Sequence, residues 1–358
     1  MADFQYVNLI MNYDPQANMG LPVPANVTVK FTQPILRDPR EYYLAVTRLY
    51  INSFNCPLII PQVVLGQSNP LLTVYKVALG YNGQFVSAPI LYQTSDGSQP
   101  MPQPPLTQQD FSSTYYYTYT YATFLTMVNN ALATAFSSLV SPPAGATAPE
   151  FYYDPSIGIV LKAQKANYQQ TFTLTPNAGF IQIYVNDFLL PYVNGFSTMI
   201  IPNSTKCNNC ILLYDQVINV DSTNTYWIQP NQNIQELSNY QSCKQFVITT
   251  NMPINAEFTQ GNLNSYIITN SNLTTQTKIL TDFDVDTSNP VGYNTVQIYT
   301  QNNSLRMIDF LTDKELTQVD AQIYFVNAFN QSFPLLLTNG VSASIKYEFM
   351  KKSVYSNK

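Results

Sequence analysis

The feature that most constrains this chain lies in residues 319–350. Val319–Leu337 reads VDAQIYFVNAFNQSFPLLL, and after a four-residue break Ser342–Met350 reads SASIKYEFM. Apolar and polar side chains alternate at the start of the first stretch and throughout the second. Alternation of period two puts Val319, Ala321, Ile323 and Phe325 on one face of a strand, and Ala343, Ile345, Tyr347 and Phe349 on one face of the next. Both sets are expected in a core. Neither stretch holds a histidine or an acid–base pair, and almost no charge is exposed.

The rest of the chain repeats the theme in short pieces. Val27–Ile35 alternates after the turn-rich GLPVPAN, and Tyr42–Ile51 follows the turn RDPR. Leu71–Leu79 and Gln84–Tyr92 flank GYNG, a hairpin signal, because Asn-Gly supplies the positive φ values that such a turn needs. EFYYDPSIGIVLKA reads as a second hairpin with its turn at Asp154–Gly158. Shorter strands are expected at Gln170–Thr175, Phe180–Ile183, Met199–Ile201, Ile211–Tyr214 and Gln245–Thr249. KILTDFDVD, TVQIYT and SLRMIDFL continue the pattern to the final strands. One helix interrupts it. Phe124, Val128, Leu132, Ala135 and Leu139 recur at three- and four-residue steps within Ala122–Val140, and SPPAG stops the run. Ser95–Asp110, SDGSQPMPQPPLTQQD, is a proline-rich connector that cannot sit inside a sheet. Many short strands with proline and glycine turns predict a mainly β protein, a sandwich or jelly roll.

Charge then narrows what such a fold is for. Charged residues make up 10% of the chain and the net charge is −5, while tyrosine occurs 27 times. A typical soluble domain carries about 25% charged residues. A free monomer with so little surface charge is poorly protected from self-association. Interface cores, by contrast, are depleted in charge and enriched in Tyr and Phe, so the composition points to an obligate assembly. The acidic balance offers no field for specific nucleic-acid binding. No apolar run approaches the ~20 residues that span a bilayer.

The candidate chemistry is thin. Without histidine, imidazole triads, metal sites and general bases are excluded. Cys207-Asn-Asn-Cys210 has zinc-knuckle spacing with Cys243 as a third ligand, but a closed structural site needs four, and Cys56 lies far away in sequence. Thiols in a loop are the simpler expectation. Met1–Gln16 lacks the basic start and apolar run of a leader, so disulfides are not expected, nor glycosylation of the sequons at Asn26, Asn203, Asn272, Asn302 and Asn330. Asp282, Asp284 and Asp286 resemble the start of a calcium loop, but Thr287 replaces its glycine and Tyr293 its final acid. They read more simply as the wet face of a strand. Tyr115, Tyr117, Tyr119 and Tyr121 fall on one face if STYYYTYTY is extended, a ladder that packs or stacks. Lys351, Lys352 and Lys358 read as a solvated basic end. No catalytic, cofactor-binding or metal residue is assigned.

SLRMIDFLTDKELTQVDAQIYFVNAFNQSFPLLLTNGVSASIKYEFMKK resembles the end of the penton, or vertex minor capsid, proteins of virophages and polinton-like viruses. REYYLAVTRLYINSFNCPLIIP, TYTYATFLTMVNNALATAF with EFYYDPSIGIVLKA, and VITTNMPINAEF with ILTDFDVD fit the same family. The resemblance implies a structural protein without catalytic residues. It implies a jelly roll standing upright in the shell, with five copies closing an icosahedral vertex among double-jelly-roll capsomers of the major capsid protein.

Together these readings predict a single jelly-roll sandwich built from residues 1–95 and 241–358. Residues 96–240 form an inserted lobe with strands and one helix, and two tandem jelly rolls are the competing layout. The expected protein is a non-enzymatic capsid component of the virion, assembled inside the host cell. Its expected partners are four copies of itself, the major capsid protein and, through the lobe, a host surface receptor. The alternative function is a carbohydrate-binding or attachment module using the tyrosines. A segment facing an anionic genome would need cations, and Ser95–Ala148 holds no lysine or arginine, so the lobe is expected to face outward.

Overall fold

The computed structural model describes residues 3–52, 56–94, 101–102, 116–154, 158–169, 177–201, 210–213, 219–220, 226–230, 242–255, 278–285, 296–300, 306–327 and 332–355. The protein is mainly β. The chain begins with β1 (Phe4–Asn12), β2 (Asn26–Lys30) and β3 (Tyr42–Asn52). It continues through β4 (Leu72–Tyr81), β5 (Gln84–Leu91), helix α1 (Tyr121–Ser137), β6 (Glu150–Asp154) and β7 (Gly158–Gln164). Short strands β8 (Gln182–Val185), β9 (Thr198–Ile201), β10 (Cys210–Leu213) and β11 (Tyr226–Pro230) follow. The last part holds β12 (Gln245–Thr250), β13 (Lys278–Asp284), β14 (Val296–Thr300), β15 (Ile308–Phe310), β16 (Gln318–Val326), β17 (Ser332–Pro334) and β18 (Ser342–Lys351).

These elements form two compact units. One joins Met1–Pro57 to Gln241–Lys358; the other is Leu58–Tyr240. The first core segment was expected to run to residue 95, and the structure ends it at Pro57. Strand pairing is the reason. β4 pairs with β8, Val77 opposite Val185 and Leu79 opposite Ile183, and α1 packs on β4 and β5. The Asn-Gly signal identifies a hairpin, but it does not say which sheet receives it.

In the discontinuous unit two antiparallel sheets face each other. One has the order β1-β18-β3-β14, with β15 also pairing with β3. The other has the order β2-β16-β12-β13, with β17 on the far part of β16. Ile254–Asn255, just after β12, pairs with β15 in the first sheet, and successive strands change sheet from β1 to β2, β2 to β3, β3 to β12, β13 to β14, β15 to β16 and β17 to β18. The two strands that opened the sequence reading are therefore not neighbours; β16 and β18 lie in opposite sheets. Their alternation serves both: Val319, Ala321, Ile323, Phe325, Ala343, Ile345, Tyr347 and Phe349 are each at most 1% exposed. Two contacts tie the layers. The Tyr347 hydroxyl of β18 donates to the Asp320 carbonyl of β16 at 2.9 Å, and the Phe283 ring of β13 stacks on Tyr299 of β14 with centroids 5.0 Å apart. At about 25 cal/mol per Å² of apolar surface removed from water, burial of this face is the main favourable contribution to the unit.

The second unit has a sheet of order β9-β10-β8-β4-β5 and another in which Asn219–Val220, β11, β7 and β6 are neighbours. The β4–β5 turn has φ 47° at Asn82 and 76° at Gly83, the conformation the sequence demanded, and Tyr81 pairs with Gln84. Helix α1 starts where Thr120 Oγ1 accepts the Thr123 amide at 3.1 Å. Its buried face is Phe124, Leu125, Met127, Val128, Ala131, Leu132 and Ala135. Asn129 fixes α1 to β6 as a backbone would: its amide donates to the Phe151 carbonyl and its oxygen accepts the Phe151 N–H, both at 2.8 Å.

The tyrosine ladder is corrected. Tyr121 opens α1, and among the described residues 116–120 only Thr118 makes a bridge, to Ile59. The Thr120 cap turns the chain into the helix at Tyr121, so Tyr121 leaves the expected ladder. Tyr115 and the strand expected at Gln170–Thr175 lie outside the described residues.

Candidate functional site

The first unit offers two outer sheet faces, each set by strand register. On the first sheet, inward Leu9, Ile345, Leu49 and Ile51 fix the outward residues by alternation. One outward row crosses four strands: Ile10, Ser344, Tyr50 and Ile298. The next holds Asn8, Lys346 and Arg48. Ile10 is 60% and Ile298 65% exposed, so the face is apolar around a basic centre. Lys346 and Arg48 stand directly opposite each other, a like-charge cross-strand pair that costs stability. Lys346 Nζ lies over the Tyr6 ring, 4.4 Å from its centroid, and the Tyr6 hydroxyl donates to Glu348 Oε1 at 3.4 Å. Among the described residues no carboxylate forms an ion pair with Arg48 or Lys346.

The outer face of the second sheet is acidic on β13. Asp282 and Asp284 are exposed, as expected for the wet face of a strand; Asp286 lies outside the described residues. Asp282 accepts from Gln245 Nε2 at 2.6 Å and pairs with Arg306 at 3.6 Å. In the cross-strand row it neighbours Val247 and Tyr324.

On the outer side of β16 lies a covered polar group that has no sequence signal of its own. Asp320 is 4% exposed. Its carboxylate accepts from Thr250 Oγ1 at 3.1 Å and from the backbone N–H and the Nδ2 of Asn251, each at 2.9 Å. Burial pushes the Tyr347 phenol well above its ordinary range, and the nearby Asp320 charge adds to this. Every strong donor around this carboxylate is spent on it, so the arrangement is structural and has no open position for a substrate.

The cysteines divide. Cys56 and Cys243 are buried thiols in the first unit, in hydrogen-bond contact with each other; Cys243 Sγ also lies 3.8 Å from the Gln245 carbonyl oxygen. Burial pushes the Cys243 thiol well up, which keeps it protonated and unreactive. One residue inward on each side, Ser242 Oγ donates to the Pro57 carbonyl. Cys210 is disulfide-bonded, which corrects the expectation of thiols alone. Cys207 lies outside the described residues, and Cys210 and Cys243 belong to different units. Among the described residues no group of three acidic or cysteine side chains is placed to hold a metal, and no helix is long and apolar enough to cross a membrane.

The basic end is corrected for Lys351 and Lys352; Lys358 lies outside the described residues. Lys351 closes β18 and pairs with Glu41 at 3.6 Å, and Lys352 pairs with Asp309 while lying 5.0 Å from the Tyr43 ring centroid. Exposed pairs of this kind contribute about 0–1 kcal/mol each, enough to tether the end. Of the sequons, Asn26 is exposed on β2; Asn203, Asn272, Asn302 and Asn330 lie outside the described residues.

Comparison with known proteins gives the family. A family model described as Sputnik minor capsid protein V18/19 matches residues 5–351. The chain belongs to this family. A curated relative, the uncharacterized protein V18 of Sputnik virophage, is 37% identical over 156 residues, 42% of this chain and 92% of the relative. A chain in the 3.5 Å cryo-EM structure of the Sputnik virophage superposes with a TM-score of 0.77 and 28% identity, over 99% of both chains. The crystal structure of the mavirus penton protein superposes with a TM-score of 0.61 over 98% of this chain and 99% of that one. Identity there is 16%, so the likeness is one of fold. The protein is thus a minor capsid protein, a component of a virion.

Proposed function

We propose that this minor capsid protein is a penton: five copies close an icosahedral vertex, surrounded by the major capsid protein, with no catalytic role. The observation that carries the reading is the match of fold along nearly the whole chain to a penton protein, within a family of minor capsid proteins. The strand orders β1-β18-β3-β14 and β2-β16-β12-β13 agree with it, because eight strands in two facing sheets with crossing connections are what a jelly roll requires. The low charge also agrees, since a ring of five covers two different faces of every subunit and the shell covers more.

In the same reading, the unit of residues 58–240 carries contacts to the host surface. The absence of lysine and arginine from Ser95–Ala148 supports this outward role. Native mass spectrometry of the purified full chain tests the central reading. A mass five times the 40.4 kDa of the chain is expected. A stable monomer that also fails to join shells of major capsid protein would reject it.

A further inference from the structure

The strongest unexplained feature is the pairing of Arg48 with Lys346. Two cations directly opposite on an exposed sheet face repel, and among the described residues neither meets an ion-pair partner. Glu348 is nearby, but its carboxylate accepts the Tyr6 hydroxyl. With Glu348 counted, this face carries a net single positive charge, rimmed by exposed Ile10 and Ile298. Around β13 the outer face of the other sheet carries the opposite balance: Asp282 and Asp284 against Arg306, a local net single negative charge, with the exposed Lys30 away on the edge strand β2. Among the described residues no cation pairs with Asp284. In a chain with so few charges, two complementary clusters on opposite faces of one sandwich are an uncommon use of them.

We propose that neighbouring copies in the ring meet with the Arg48/Lys346 face of one subunit against the Asp282/Asp284 face of the next. This rests on the pentamer reading and names the surfaces that build it. A five-fold ring requires a head-to-tail contact between two different patches of the same chain, and these two patches lie on opposite sheets. The apolar row Ile10–Tyr50–Ile298 and the half-buried Tyr324 supply the area removed from water. The charges fix register, and they exclude the reversed contact that would set cation against cation.

Full-length wild type, Arg48→Glu/Lys346→Glu, Asp282→Lys/Asp284→Lys and the quadruple variant are compared by sedimentation velocity over a dilution series, with circular dichroism as the check on folding. Each double reversal sets like charges against each other at every contact. It is expected to raise the concentration at which rings dissociate by more than about tenfold. The quadruple variant, with both signs reversed, is expected to return to near the wild-type value. Wild-type rings should also weaken as salt rises, a readout that needs no variant. A monomeric wild type overturns the ring and this contact with it. A pentameric wild type whose double reversals fold and stay pentameric overturns the contact alone. So does a quadruple variant that folds but stays dissociated. Rings that persist while incorporation into shells of major capsid protein is lost would assign the basic face to that protein and refute the contact.

Discussion

Replacing Asp320 by alanine should destabilise the first unit more than any other single loss of a polar side chain in it. The carboxylate is 4% exposed and receives three hydrogen bonds, from Thr250 Oγ1, Asn251 N and Asn251 Nδ2. Hydrogen bonds to a charged group contribute about 1.5–3 kcal/mol each, but the three are not additive, and a water entering the space left by the side chain recovers part of the loss. About 3–5 kcal/mol remains, a large fraction of the ~5–15 kcal/mol that holds a domain folded. Asp320→Asn keeps one acceptor. With its oxygen toward Asn251 and its amide toward the Thr250 hydroxyl, it preserves most of the network and should cost about 1 kcal/mol. For a unit of this size, 1 kcal/mol moves Tm by about 2–4 °C, so alanine should lower the transition by roughly 6–20 °C and asparagine by a few degrees. Thermal unfolding by circular dichroism gives the shift, and hydrogen exchange in the peptide spanning residues 318–326 shows that the loss is local to β16. An alanine variant melting within about 2 °C of wild type, or an asparagine variant as damaged as alanine, would refute the reasoning.

Three further outcomes are expected. Ile323→Asp or Ile345→Asp should abolish soluble protein, because each residue is at most 1% exposed and an unpaired core charge costs several kcal/mol, while Gln322→Ala should remain soluble; expression and gel filtration distinguish them. Asn129→Ala should lower the stability of the second unit by about 2 kcal/mol in urea titration, through loss of both hydrogen bonds to Phe151. Burial holds the phenols of Tyr168 and Tyr347 above their ordinary range, so the folded chain keeps protons that the unfolded chain releases. Stability should therefore be full below about pH 10 and fall as pH rises beyond it, by up to ~1.4 kcal/mol per pH unit for each such tyrosine; urea midpoints across that window should move down, and a flat or rising profile would contradict the assignment.

How much of this was legible beforehand depends on the range of the interaction. Local signals read well. The Asn82-Gly83 turn, the Thr120-capped helix and the inward residues of β16 and β18 depend on a few neighbouring residues, and each is where periodicity put it. β1 gives a weak signal, because Val7, Leu9 and Met11 alternate with Tyr6, Asn8 and Ile10 and large apolar side chains therefore fall on both faces. Partner choice was not legible. Period two says which way a side chain faces but not which strand lies beside it, so the β4–β5 hairpin was assigned to the wrong unit. The same limit hid the basic face: Arg48 and Lys346 are almost 300 residues apart, and only the β3–β18 register sets them opposite each other. Asp320 looked like an ordinary outward polar residue, and its burial depends on the Thr250–Asn251 segment folding over it.

The hydrogen bond between Pro57 and Ser242, beside the buried Cys56 and Cys243, has a consequence for inheritance. The chain leaves and re-enters the sandwich at neighbouring points, so from the side of β3 and β12 the unit of residues 58–240 is equivalent to one surface turn. Each doubling of such a loop costs only about 0.6 kcal/mol in closure entropy. Selection on the shell and selection on the inserted unit can then proceed nearly independently. A lineage can trade one insertion for another, as a cassette, while the sandwich keeps its register, and the place to look for recombination breakpoints is the short stretch on either side of these two residues.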